Sequence, residues 1–176
     1  MSNFVSGWYL LYTKPRREKK VADRLSEESI MFYLPTVNIL RNWNDRKKMV
    51  EAPLFPSYVF IYLQQLQDYY KGLDVEGVLQ YVKFGKQIAK VSEDTVSNLK
   101  ILISRGKYLE VSSDYFEPSK KLLIKEGPLS GLTCEVVQHK NREKILVRVN
   151  LLNRVILMDM PISHLTASHF PPAIIT

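Results

Sequence analysis

From Gly106 to Ser119 the sequence loses its apolar periodicity, and Ser112, Ser113, Asp114 and Pro118 leave no stretch able to form a long element. This break constrains the fold more than any other feature, because it parts two stretches of different patterning. Before it, helical and strand periods alternate over roughly 100 residues, an ordinary domain length. After it come only short runs of strand length. Two small domains are therefore expected: an α+β domain at 6–105, a linker at 106–118, an all-β domain at 119–167, and a disordered tail at 168–176 carrying Pro171 and Pro172.

In the first stretch, Gly7-Trp8-Tyr9-Leu10-Leu11-Tyr12-Thr13 is rich in large apolar side chains, which predicts a buried strand. Pro15 suits the first turn of a helix. Val21, Ala22 and Leu25 recur at helical spacing among Arg16, Arg17, Lys19, Lys20 and Arg24, which predicts a helix to about Glu28 with one apolar stripe and a basic remainder. Phe32 to Leu40 and Arg46 to Glu51 read as the strands of a long hairpin around the polar break Asn42-Trp43-Asn44-Asp45. Pro53-Leu54-Phe55-Pro56-Ser57 makes a rigid apolar corner before a strand at Tyr58 to Leu63. A short helix at Leu66 to Leu73 and a strand at Val78 to Phe84 follow. Ser92 then caps a helix with Glu93 and Asp94 in its first turn, Val96, Leu99 and Ile103 on one face, and Gly106 as its stop. The order is β-α-β-β-β-α-β-α, an antiparallel sheet flanked by helices. Beyond the linker, Lys121 to Lys125, Thr133 to Gln138, Lys144 to Val149 and Arg154 to Met158 are strand-length runs joined by turn clusters, as in a tiny all-β barrel.

The formal net charge is +7 and the pI about 9.4, which favours an anionic partner, above all nucleic acid. Cys134 is the one cysteine, so no intrachain disulfide can form and a reducing compartment is expected. The N-terminus has neither a basic nor an apolar leader region, and no apolar run reaches the roughly 18 to 20 residues that span a bilayer. A cytoplasmic monomer that does not enter membranes is expected. His139, His164 and His169 are scattered, and neither metal-ligand spacing nor a phosphate-binding glycine loop is present. No catalytic residue, metal or cofactor is expected.

Trp8-Tyr9, the run Pro53-Leu54-Phe55-Pro56-Ser57-Tyr58-Val59-Phe60 and Tyr81-Val82-Lys83-Phe84-Gly85 resemble the N-terminal (NGN) domain of the NusG family of transcription elongation factors. Glu126-Gly127-Pro128-Leu129-Ser130-Gly131 resembles the start of that family's C-terminal KOW barrel, although Cys134 stands where the motif usually has glycine. Trp8-Tyr9-Leu10-Leu11-Tyr12 and Asn150-Leu151-Leu152-Asn153 are similar to the RfaH-like paralogues. Asn42-Trp43-Asn44-Asp45-Arg46-Lys47-Lys48, with Glu51 and Pro53-Leu54-Phe55, is similar to the UpxY-like antiterminators of capsule loci. The resemblance runs from residue 7 to about 167, in order.

That resemblance implies a factor that binds the clamp helices of the largest RNA polymerase subunit and contacts the non-template DNA strand or nascent RNA. It would suppress pausing and termination in specific long operons, such as those for capsular polysaccharide, with a ribosomal protein or Rho as the KOW partner. The rival function is a general KOW-type RNA-binding or ribosome-associated protein. Tyr9, Phe55, Pro56 and Tyr58 are the candidate polymerase contacts, since Pro53 and Pro56 restrain the corner, although buried aromatics are commoner in general. Lys14, Arg16, Arg17, Lys20 and Arg24 are candidate phosphate contacts, or else a solvated helix face; Lys14 and Arg24 match RfaH-like DNA contacts, while Glu76 stands where a cation would help. Trp43, among Arg41, Arg46, Lys47 and Lys48, either stacks on an unpaired base or packs back on its hairpin. Leu151, Leu152, Asn153 and Arg154 fall at the family's KOW partner site, with barrel core as the other reading of the two leucines. Val136, Val137, Ile145, Val147, Val149, Val155 and Ile156 favour a permanent barrel over a helical hairpin.

Overall fold

The computed structural model describes residues 4–42, 47–105, 109–112, 114–119, 121–124, 130–140, 142–149, 152 and 154–159. The chain forms two compact units, 1–96 and 97–176. In the first, β1 (Gly7–Thr13) is the central strand. It pairs antiparallel with β5 (Tyr58–Leu63) on one side, and with β6 (Val78–Tyr81) and β9 (Lys90–Val91) on the other; β2 (Phe32–Tyr33) extends the sheet beyond β5. A strand with neighbours on both edges and cover on both faces must be apolar throughout, and β1 is buried at every position but Tyr12. Helices α1 (Glu18–Glu27) and α2 (Leu66–Asp74) precede β2 and β6. Val21 and Leu25 of α1 pack with Tyr9, Leu11, Val59, Ile61, Leu63 and Tyr81, and α2 adds Tyr69 and Leu73. These strand residues alternate, so they occupy one face of the sheet.

Several elements depart from their expected bounds. Pro15 does not open α1: Arg16 takes a left-handed turn at φ 62° and the helix begins at Glu18. The expected strand at Phe32 to Leu40 is interrupted at Leu34-Pro35, since Pro35 has no N–H for a ladder; its carbonyl instead accepts the Leu54 N–H at 2.7 Å. The hairpin is β3 (Thr36–Asn42) with β4 (Lys47–Pro53), registered from Thr36 opposite Pro53 to Asn42 opposite Lys47. The expected strand at Val78 to Phe84 ends as β6 and restarts as β7 (Lys83–Phe84), which turns into β8 (Gln87–Ile88). Ser92 caps α3 (Glu93–Arg105) as its sequence indicates, its hydroxyl accepting the Thr95 N–H at 3.2 Å.

The second unit holds most of α3 and a five-stranded antiparallel sheet in the order β10 (Glu110–Ser112), β14 (Arg154–Asp159), β13 (Arg142–Val149), β12 (Thr133–His139), β11 (Leu122–Leu123). The Val- and Ile-rich runs are strands here, as their propensity indicates. Leu146, Val155 and Leu157 pack with Phe116 and Val137, while Ile145, Val147 and Ile156 are buried on the alternate face. Buried Asn98 of α3 closes both backbone groups of Thr133, accepting its N–H at 3.1 Å and donating to its carbonyl at 3.2 Å.

β10 lies inside the stretch expected to be linker. Its Glu110 carboxylate accepts hydrogen bonds from Lys144 at 2.8 Å and Lys140 at 2.9 Å. A segment too polar to build a core is held by its partners' charges, which sequence periodicity does not register. Those two bonds pull the Glu110 carboxyl down to about 2 from an ordinary 4.5. A carboxyl lowered on folding stabilises the native state above its unfolded pKa, and that contribution disappears as pH falls from about 4.5 toward 2. Urea titrations at pH 6 and pH 3 are expected to show a smaller acid loss of stability in Glu110→Gln than in the wild type.

Candidate functional site

The sheet face opposite α1 and α2 carries the aromatics of alternate register. Trp8 stands opposite Tyr62, Leu10 opposite Phe60 and Tyr12 opposite Tyr58, and Tyr33 follows Phe60 onto β2. Tyr12 and Tyr58 have ring centroids 5.4 Å apart, Trp8 and Tyr62 5.3 Å, and Tyr33 and Phe60 6.1 Å. Phe55 joins this group, 6.4 Å from the Phe60 ring. The centre of the face is closed: Trp8, Leu10, Phe55 and Phe60 are buried, whereas Tyr12, Tyr33, Tyr58 and Tyr62 are half-buried and Pro56 is exposed. Trp8 Nε1 donates to Glu93 at the start of α3, 3.2 Å away.

Of the four aromatic and proline candidates, Phe55, Pro56 and Tyr58 are brought together and Tyr9 is not. Tyr9 alternates with Trp8 and Leu10, so it faces α1, 5% exposed, and its hydroxyl donates to the Val5 carbonyl at 2.6 Å. Phe55 is 3% exposed, packed rather than presented. Alternation along β1, visible in the sequence, separates Tyr9 from the others and gathers Trp8, Tyr12, Phe60 and Tyr62, which the motif reading did not single out.

The corner is fixed from α1. Ser57 sits at φ 68°, its N–H donates to the buried Glu18 carboxylate at 2.7 Å, and its carbonyl accepts the Thr13 N–H at 2.9 Å. Glu18 therefore reads as a positioning residue for Phe55 and Tyr58, a role that only its burial reveals. Glu18→Ala leaves the Ser57 N–H buried and unpaired, and is expected to cost about 1 to 3 kcal/mol in chemical denaturation.

Lys14, Arg16, Arg17, Lys20 and Arg24 are all exposed on α1 or in the turn before it. Carboxylates are interleaved with them. Arg24 pairs with Glu27 at 3.0 Å, and a cleft of about 320 Å³ is lined by Arg17, Lys20, Asp23, Arg24, Glu27 and Glu76. Glu76 is brought there by Gly77, whose φ of 101° and lack of a side chain let the loop lie against Arg17 and Val21, and whose carbonyl accepts the Lys14 N–H at 2.8 Å. Lys14 and Arg16 lie outside that acidic lining. Lys19 pairs with Glu51 of β4, tying the hairpin base to α1; this bond and one from Thr36 hold the Glu51 carboxyl below its ordinary range. At the far end, Arg41 is directly opposite Lys48 and beside Lys47, all exposed, so like charges crowd there. Trp43 and Arg46 lie outside the described residues, as do Leu151 and Asn153. Leu152 is half-buried and Arg154 is exposed at the start of β14.

Among the described residues no group of histidine, cysteine and carboxylate side chains could hold a metal ion, and no helix is long and apolar enough to cross a membrane. Cys134 is buried, and burial with the neighbouring Glu135 charge pushes its thiol up to about 11, out of the range of a reactive thiolate.

A family model described as transcription termination factor nusG matches residues 6–100. The chain is similar to the transcription termination/antitermination protein NusG of Lactococcus lactis, 24% identical over 172 residues that cover 90% of this chain and 91% of that protein. Among solved structures it is similar in fold to NusG of Thermotoga maritima, described under domain interaction in that protein, with a TM-score of 0.50 and 19% identity over 91% of this chain and 96% of that one.

Proposed function

The chain belongs to the NusG family of transcription termination and antitermination factors, which are non-enzymatic, and on that premise we propose that it rides on RNA polymerase and suppresses pausing and termination. In this reading the first domain docks on the clamp helices of the largest subunit, and its basic residues meet the non-template strand or the nascent RNA. The second domain is a KOW barrel that meets a ribosomal protein or Rho. The observation that carries the reading is the aromatic face gathered around the Phe55 corner. A partner helix needs apolar anchors on a rigid support, and Glu18 supplies the support through Ser57. With the centre of the face buried, Pro56 and the half-buried Tyr12, Tyr33 and Tyr58 are the groups that a partner reaches first. The RfaH-like and UpxY-like motifs support a specialised paralogue acting on long operons such as capsule loci.

The test is retention of bacterial core RNA polymerase on the immobilised full chain, wild type against Tyr58→Ala. Wild type is expected to retain the enzyme, and Tyr58→Ala to weaken binding about tenfold, as loss of an aromatic anchor does. A wild-type chain that binds RNA or ribosomes but not polymerase overturns the proposal. Equal binding by Tyr58→Ala removes this face from it.

A further inference from the structure

The β7–β8 hairpin carries the most exposed large apolar side chain among the described residues: Phe84, 85% exposed. Register explains why it is held out. Lys83 pairs with Ile88 and Phe84 with Gln87. Ile88 packs against the core beneath α1 and α2, so the alternate pair Phe84 and Gln87 must face away from it. Gly85, at φ 62° in the first central position, gives the two-residue turn the positive φ that a tight hairpin needs. The root is fixed as well, since Val82 N–H donates to the Leu10 carbonyl at 2.8 Å and Ala89 N–H to the Val82 carbonyl at 2.9 Å. Phe84 is thus a ring on a short, braced ribbon. Gln87 shares its face and Lys86 follows in the turn, both exposed, while the exposed Lys83 starts from the other face beside Ile88; the sequence holds no carboxylate between Glu76 and Glu93. Among the described residues neither Lys83 nor Lys86 is engaged in an ion pair.

We propose that this hairpin is a stacking finger for single-stranded nucleic acid: an unpaired base lies on the Phe84 ring, its edge within reach of the Gln87 amide, and a flanking phosphate meets Lys86 at the turn. One aromatic ring whose partner on the outward face of this hairpin is an amide, with a cation in the adjoining turn, suits a base and its phosphate rather than an apolar protein groove. Every base has a π-face, so stacking accepts any sequence, while an amide can read a base edge. The finger is separate from the basic residues of α1 and from the β3–β4 hairpin. It deepens the proposed contact with nucleic acid and does not depend on polymerase.

The test is fluorescence anisotropy of labelled single-stranded RNA and DNA 12-mers with the full chain, over a salt series. Phe84→Ala is expected to weaken binding about tenfold, the loss of one stacked base, with thermal stability unchanged because the ring is exposed. Lys86→Ala is expected to lower the salt slope by about one. Phe84→Trp should retain affinity and show indole quenching by the oligonucleotide beyond that of wild type. Equal affinity of Phe84→Ala and wild type overturns the finger. If Arg16→Glu abolishes binding in that case, the contact through α1 stands alone. Failure of the wild-type chain to bind either strand also overturns the finger, while polymerase retention then decides the wider reading separately.

Discussion

Arg148→Met is expected to destabilise the second unit by about 3 kcal/mol, as removal of one partner from a buried pair does. Glu135 is 4% exposed, and the Arg148 guanidinium grips both its oxygens, Nε at 2.6 Å and Nη2 at 2.9 Å. The Ser119 N–H adds a third bond at 2.8 Å, and Arg148 Nη2 also reaches the Glu117 carbonyl at 3.0 Å. The pair therefore ties the segment before β11 to β12 and β13. Burial pushes the Glu135 carboxyl up, and the bonds from Arg148 and Ser119 outweigh it, so the carboxyl lies below its ordinary value. Without Arg148 its hydrogen bonds and charge no longer oppose that push, so the carboxyl is expected to titrate higher than in the wild type. The wild type alone then loses the Arg148 contribution as its carboxylate is protonated, so the variant's deficit should narrow as pH falls from 7 toward 4. Urea denaturation of both proteins at the two pH values checks the size and the sign. Glu135→Gln with Arg148→Met should recover much of the loss, because no charge is then left buried.

Phe55→Ala is expected to cost about 3 to 4 kcal/mol, the loss of a phenyl ring from a closed site. The ring is 3% exposed, beside Phe60 at 1% and Leu10 at 0%, on a corner too braced by Ser57 and Glu18 to collapse into the space. A fall in melting temperature of well over 5 °C is the expected readout for a unit of this size. This bears directly on function. A variant of Phe55 that fails to retain polymerase can do so by loosening the first unit, whereas Tyr58→Ala removes a ring already half in solvent. Loss of binding in Tyr58→Ala with a retained thermal transition therefore assigns the face, and loss in Phe55→Ala alone does not.

Much of the architecture was legible in the sequence because it rests on local periods. The apolar run of β1, the stripe Val21, Ala22 and Leu25, the Ser92 cap and the Val- and Ile-rich strands each declare their element within a few residues. The family motifs likewise marked the corner at Pro53 to Ser57. The site was legible only in part. Tyr9 and Phe55 are close in character, but Tyr9 packs with Val21 and Leu25 of α1, while Phe55, on a corner outside the β1–β5 ladder, packs beside Phe60 on the alternate face. Interleaved carboxylates, Glu27 and Glu76 among them, reach the basic helix from its own next turn and from a loop some 60 residues away; composition gives no sign of the second, which only the family resemblance marked as standing where a cation would help.

The sequence by itself determined the main helices and strands, among them β1, α1, β5, α3 and the Val- and Ile-rich strands, because these follow from spacing, propensity and residue type. Only the tertiary structure decided that Glu18 braces the corner, that Glu110 draws a strand out of an apparent linker, and that Phe84 stands outside its sheet. Each of those depends on which distant backbone or charge a side chain meets, and the free energy of such a meeting resides in the contact rather than in either residue.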